Sequence, residues 1–217
     1  MSRDVAEAAK ARELSKQETR EALLRAAMGE FAEHGLDAPS LDAICARAGF
    51  TRGAFYVHFR DREDLVAAVM ERVLGAFLDA VVARGEIGEE RSLAATVERF
   101  AAAVAGPRGA RARGALPTGD PANAWRAPAV PLHQVLAACS RSPELRRRFV
   151  SILEEAIQRV AHAARHEGQG DAEALAALLV LTALGVRAAL DLDLALDVRA
   201  VRDAALRLLQ PREAGRP

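Results

Sequence analysis

Leu23, Leu24, Ala27, Met28 and Phe31 recur at three- and four-residue intervals between polar positions, the spacing of one face of an α-helix. Just upstream, Ser15, Lys16, Gln17 and Glu18 read as a capping box, in which Ser15 bonds a backbone N–H and Glu18 reaches back. The pattern therefore predicts a helix from Ser15 to His34, with Gly35 as its left-handed terminator. Ser40 then caps a short helix whose inward face is Leu41, Ile44, Cys45 and Ala48, ended by Gly49. Thr51 caps a second short helix, Arg52 to about His58. Asp61 caps a third, with Glu63 and Asp64 in the first turn, where the helix dipole favours acids. Leu65, Val69, Val73 and Phe77 carry that helix toward Gly85.

Residues 88–105 continue the helical period through Leu93, Val97 and Phe100. The stretch GPRGARARGALPTGDPANAWRAP, residues 106–128, breaks it, and its Gly, Pro and Arg content predicts a mobile connection with one short helical turn near Ala110. Helix resumes around Pro131 to Ala138. Ser142, Pro143 and Glu144 make a helix start, a cap followed by proline at the first position. That helix runs to Glu167 and stops at Gly168; Asp171 caps the next, to about Leu190. Asp197 caps the last, Val198 to Gln210, closed by Pro211. No repeat and no strand pattern appears, and β-branched residues are few beside Ala, Leu, Arg and Glu, so the expected fold class is all-α.

Charge and composition narrow the function. The formal net charge is zero, so no global field points to nucleic acid or membrane. The most apolar run, Ala174 to Val186, reads as too short to span a bilayer and better suited to a buried interface. Cys45 and Cys139 lack metal spacing, and the charged N-terminus is not a signal sequence; both points fit a reducing cytoplasm.

The densest chemistry lies in GFTRGAFYVHFRDREDL, residues 49–65. Two short helices joined at a glycine and stacked on a preceding helix describe a helix-turn-helix, whose second helix enters the DNA major groove. Helical spacing divides its aromatics. Phe55 and Phe59 share the core face, which Phe50 is expected to enter from the turn; Arg52, Gly53 and Tyr56 lie opposite. Tyr56 and His58 have polar tips suited to phosphate oxygens. Arg52 can fork to a guanine edge, and Gly53 permits close backbone approach.

The segment TREALLRAAMGEFAEHGLDAPSLDAICARAGFTRGAFYVHFRDREDL resembles the N-terminal domain of the TetR/AcrR family of bacterial transcriptional regulators. The family pattern reads here as Phe31 to Gly35, Pro39-Ser40-Leu41, Ile44-Cys45, Ala48-Gly49-Phe50-Thr51, Gly53, Phe55-Tyr56, His58-Phe59 and Arg62-Glu63-Asp64-Leu65, over residues 15 to about 75. Arg62 replaces the usual lysine, Phe55 a leucine and Cys45 a small apolar residue. The resemblance implies that Ser40, Thr51, Tyr56, His58 and Arg62 hold the phosphate backbone, while Arg52 and Ala54 face bases and Gly53 lies close to the DNA. It implies a division into an arm or helix extension (1–14), a helix-turn-helix domain (15–60), a linking helix (61–85) and a ligand-binding and dimerisation domain (86–217). The partners it implies are a double-stranded DNA operator, a second copy of the chain and a small-molecule inducer, with no membrane and no cofactor. Residues 1–65 hold ten Lys/Arg and twelve Asp/Glu, so such binding requires the acids to lie away from the DNA.

Beyond residue 86 the resemblance is carried by CSRSPELRRRF, residues 139–149, and by the two long helices that follow Ser142 and Asp171. Leu175, Leu178, Thr182, Gly185 and Val186 form the candidate dimer face. Phe77, Phe100, Trp125, His133, Gln134 and Cys139 are the candidate ligand-pocket walls. Two other readings stay open: a helical enzyme using Cys139 or His133, and an interaction protein that kept the fold without DNA binding. His162 and His166, four apart, lack a third zinc ligand and read as a solvated or dimer-facing pair.

Overall fold

The computed structural model describes residues 2–82, 92–104 and 130–209, with backbone only for 2–12 and for 80. Among the described residues there are nine helices and no strand: α1 (Ser2–His34), α2 (Leu41–Ala48), α3 (Arg52–His58), α4 (Arg62–Val81), α5 (Leu93–Val104), α6 (Leu132–Arg141), α7 (Pro143–His166), α8 (Ala172–Asp191) and α9 (Val198–Leu209). The all-α expectation holds.

Helix boundaries follow local chemistry. Ser40 Oγ accepts the Ala43 N–H at 3.1 Å, and Asp61 Oδ1 the Asp64 N–H at 2.8 Å. Thr51, Ser142, Asp171 and Asp197 act in the same way on α3, α7, α8 and α9. Gly35, Gly49 and Gly168 all have positive φ at helix ends. Ser92 Oγ accepts the Ala95 N–H and caps α5, which begins at Leu93; the expected start at residue 88 lies outside the described residues.

Two expectations are corrected. The capping box at Ser15 does not form, because α1 is continuous from Ser2 and the Ser15 carbonyl accepts from Thr19 Oγ1 within the helix. Residues 2–14 are rich in Ala, Glu, Lys and Arg, and their propensity carries the helix past a serviceable cap. The second is the reading of the apolar run Ala174 to Val186 as too short to span a bilayer, although the helix that holds it starts and ends where expected. Helix α8 has 20 residues and a mean hydropathy of 1.8, enough by length and composition alone to cross a membrane. It packs along α7 with Ala172, Ala176 and Val186 buried, and most of its remaining apolar positions are only partly covered.

Two apolar cores meet along α4. The first gathers Leu23, Leu24 and Phe31 of α1, Ile44 of α2, Phe55, Phe59 and Leu65, and runs on into Val135, Leu145 and Phe149 of α6 and α7. The second gathers Val81, Leu93, Val97, Val160, Ala161 and Ala176. The N-terminal helices are thus not a separate bead: their core is shared with α6 and α7. Polar pairs reinforce the seam. Arg148 of α7 meets Asp64 at 3.0 Å and Glu71 at 3.3 Å on α4, Ser142 Oγ donates to Glu63 at 2.6 Å, and Arg141 meets Asp37 at 2.8 Å.

Candidate nucleic-acid interface and ligand cavity

Helix α3 has one fully buried anchor, Phe55, which stacks on Phe59 at 5.4 Å between ring centroids. Arg20 of α1 lies 5.0 Å over the Phe59 ring and closes this layer from outside. The opposite face of α3 is open: Arg52, Gly53, Tyr56 and Val57 are exposed, Tyr56 at 54%. Phe50 departs from the expectation that it joins the core, being 36% exposed. The Gly49 turn ties the Phe50 N–H to the Cys45 carbonyl at 2.9 Å and holds the ring at the rim between α2 and α3.

The polar groups around α3 have defined partners. Arg52 Nε lies 3.2 Å from Asp42 of α2, an exposed pair that an incoming base edge or phosphate can displace at little cost. Ser40 and Thr51 serve their helices as caps, and the Ala54 N–H is the donor to Thr51. His58 is half-buried and faces Lys16 and Arg20; burial first, then those two cations, lower its pKa below the ordinary 6.5. Arg62 turns inward, donating to the Leu36 and Pro39 carbonyls and lying 5.6 Å over the Phe31 ring.

The acids of this region are largely engaged elsewhere. Glu30 and Glu33 grip Arg47 at 3.1 and 2.7 Å and join α1 to α2; the Arg47 hydrogen bond lowers the Glu33 pKa. Glu63 and Asp64 face α7. Only Asp42, among these, stands beside the open face of α3.

Behind this head, a cavity of about 160 Å³ runs between α4, α5, α6, α7, α8 and α9. That is room for on the order of ten water-sized groups. Its walls are almost wholly apolar, with Met70, Phe77 and Phe100 prominent, and Phe77 and Phe100 meet edge to face at 6.1 Å. Thr96, Thr182, Arg187 and Arg202 are the polar exceptions. Both arginines carry acid partners, Arg187 with Asp191 at 2.6 Å and Arg202 with Asp203 at 2.7 Å.

Of the sequence candidates for this cavity, Phe77 and Phe100 line it. His133 is exposed, Gln134 bonds the Leu36 backbone, and Cys139 is buried in the first core; Trp125 lies outside the described residues. Thr182, read from sequence as a dimer contact, lines the cavity, and Val186 is buried within the chain. Leu178 and Gly185 are exposed on α8, joined by Leu181, which sequence reading passed over. The missed walls on α4 and α5, Met70, Val73 and Thr96, sit on the same helical faces as Phe77 and Phe100. Periodicity marks such residues as inward-facing and cannot distinguish a wall from a core.

Residues 23–69 match the family model described as bacterial regulatory proteins, tetR family. The chain is 44% identical over 55 residues to the HTH-type transcriptional regulator AcrR of Shigella flexneri, and 46% identical over 55 residues to the HTH-type transcriptional repressor BepR of Brucella suis. Each match covers 25% of this chain and 26% of the relative, so it spans about a quarter of the length of those proteins. The likeness to solved structures is longer. A complex of SmeT with triclosan superposes over 92% of this chain and 98% of that one, with a TM-score of 0.62 and 25% identity. A second SmeT structure, described as the repressor of the Stenotrophomonas maltophilia multidrug efflux pump SmeDEF, is 27% identical, with a TM-score of 0.56 over 88% of this chain and 89% of that one.

Proposed function

We propose that this chain is a member of the TetR family of bacterial transcriptional regulators, and that it binds DNA as a cytoplasmic dimeric repressor released from a palindromic operator by a small molecule. The observation that carries the reading is the two-sided α3: Phe55 and its stack with Phe59 fix the helix in the core while Arg52, Gly53 and Tyr56 stand open to solvent. A rigid helix with one anchored and one open polar face is what major-groove reading requires.

In this reading Tyr56, His58, Ser40 and Thr51 set the register on the phosphate backbone, Arg62 supports them from behind through the Leu36 and Pro39 carbonyls, and Arg52 and Ala54 meet base edges. With no net charge on the chain, affinity rests on the local cations Lys16, Arg20 and Arg52, with Glu30, Glu33, Glu63 and Asp64 turned to internal partners and Asp42 left beside Arg52. The exposed Leu178, Leu181 and Gly185 of α8 supply the face for a second copy, which places two α3 helices on two half-sites.

The cavity supports control by a ligand, as does the SmeT–triclosan complex. Its walls favour an apolar molecule with few polar groups, because burying an unpaired polar atom against them is costly. A catalytic reading is weaker. The Cys139 thiol is buried and its pKa is raised by desolvation, the opposite of an activated nucleophile.

Selection of bound duplexes from a random pool, followed by mobility shift, tests the proposal. Wild type should select a two-fold-symmetric sequence and release it steeply as salt rises. Tyr56→Ala and Arg52→Ala should each weaken that complex by about tenfold or more. Unchanged affinity in both variants overturns the assignment of α3.

A further inference from the structure

Leu36 sits where three parts of the molecule meet. It lies in the turn between α1 and α2, is 3% exposed, and forms part of the cavity wall. Its carbonyl accepts from Arg62 in the first turn of α4. Its amide N–H donates to Gln134 Oε1 of α6 at 2.8 Å, across 98 residues of chain. The Gln134 amide lies so close to this turn that a β-carbon on Gly35 would come within 3.0 Å of its oxygen.

Helix α6 connects that contact to the cavity. Leu132 and Val135, on the same turn of α6 as Gln134, are cavity walls, whereas Gln134 itself is not. The start of α6 is fixed as well: the Leu132 N–H donates to Asp191 Oδ2 at 2.7 Å, and Asp191 pairs with the cavity residue Arg187. Cavity wall, helix turn and side-chain arm are therefore one stiff unit. A molecule that displaces Leu132 or Val135 moves Gln134 with them. Gln134 holds the last backbone amide before the segment that leads through Ser40 into α2 and α3.

We propose that Gln134 is a positioning residue that couples occupancy of the cavity to the α1–α2 turn, and so to the seating of α3 on DNA. This rests on the ligand-control reading above. Arg62 works from the other side, fixing the Leu36 carbonyl to α4, so the turn follows whichever of α4 and α6 is displaced. Coupling of this kind needs an acceptor on residue 134 and not a particular charge.

The test uses the full chain, a fluorescein-labelled duplex from the selection, and N-phenyl-1-naphthylamine as a neutral apolar probe of the cavity. Saturating probe should weaken duplex binding by wild type about tenfold, and the duplex should weaken probe binding by the same factor. In Gln134→Met, which keeps length and loses the acceptor, probe affinity should stay within about twofold while its effect on DNA falls below about twofold. Gln134→Glu keeps an acceptor and should keep the wild-type response. Hydrogen exchange at the Leu36 amide of wild type should quicken when probe binds. A Gln134→Met protein that responds as wild type does, or a Leu36 amide whose protection ignores the probe, overturns the proposal and leaves ligand control standing. A wild type that fails to bind the probe, or binds it with no effect on DNA, overturns the ligand-control reading and this coupling with it.

Discussion

A β-carbon at Gly53 would lie 3.6 Å from Thr51 Oγ1, an ordinary van der Waals contact, so the chain's own packing leaves room for alanine there. Glycine inside a short exposed helix lowers its stability relative to alanine. Its presence on the open face of α3 fits close approach by something outside the fold. Gly53→Ala should therefore raise folding stability, by up to about 1 kcal/mol in chemical denaturation. The same change should weaken operator binding several-fold. Tighter or unchanged DNA binding would remove Gly53 from the interface. Neighbouring aromatics divide in the same manner: Phe55 is buried and Tyr56 exposed although they are adjacent, because successive helical positions differ by about 100°. Phe50 escaped that reasoning, since it sits in a turn where helical spacing does not apply.

At the scale of helices, Ser15 and Ser142 make a controlled comparison. Both look like N-caps in sequence. Ser15 lies mid-helix, whereas Ser142 caps α7 through the Leu145 N–H at 3.3 Å and donates to Glu63 of α4 at 2.6 Å while buried. Ser142→Ala should cost about 1–2 kcal/mol by thermal or urea unfolding, and Ser15→Ala less than about 0.5. Equal effects would mean that α1 starts at Ser15 in solution. Most helix ends were legible because each rests on one short-range bond that sequence spacing reveals. Ser15 was misread because a cap works only where the upstream chain leaves the helix, and residues 2–14 favour staying in it.

For the whole molecule, the proposed dimer places a demand on α8. Leu178 and Leu181 are 50% and 61% exposed and lie three residues apart on α8, so they form one apolar strip that a second copy would cover. Leu178→Glu combined with Leu181→Glu should give a monomer by light scattering and abolish two-half-site binding, while helix content is kept. A doubly substituted chain that still dimerises would move the interface to another face. The continuity of the first core from α1 through α7 carries a related consequence: the head cannot tilt without repacking Val135, Leu145 and Phe149. Motion of the head and motion of α6 are therefore linked events.

The sequence by itself determined the all-α class, the positions of most helices and the division of α3 into buried and open faces. These rest on periodicity and on caps that act over three or four residues. It also carried the resemblance to the TetR family, through motif spacing packed into 47 residues between 23 and 69. Only the tertiary structure decided which inward faces meet a core and which enclose a cavity, because both are apolar at the same period. The same holds for Thr182, turned to the cavity, and for Gln134, joined to Leu36 across 98 residues. Contacts between distant segments depend on how helices are stacked, and helical spacing within one segment contains no record of that stacking.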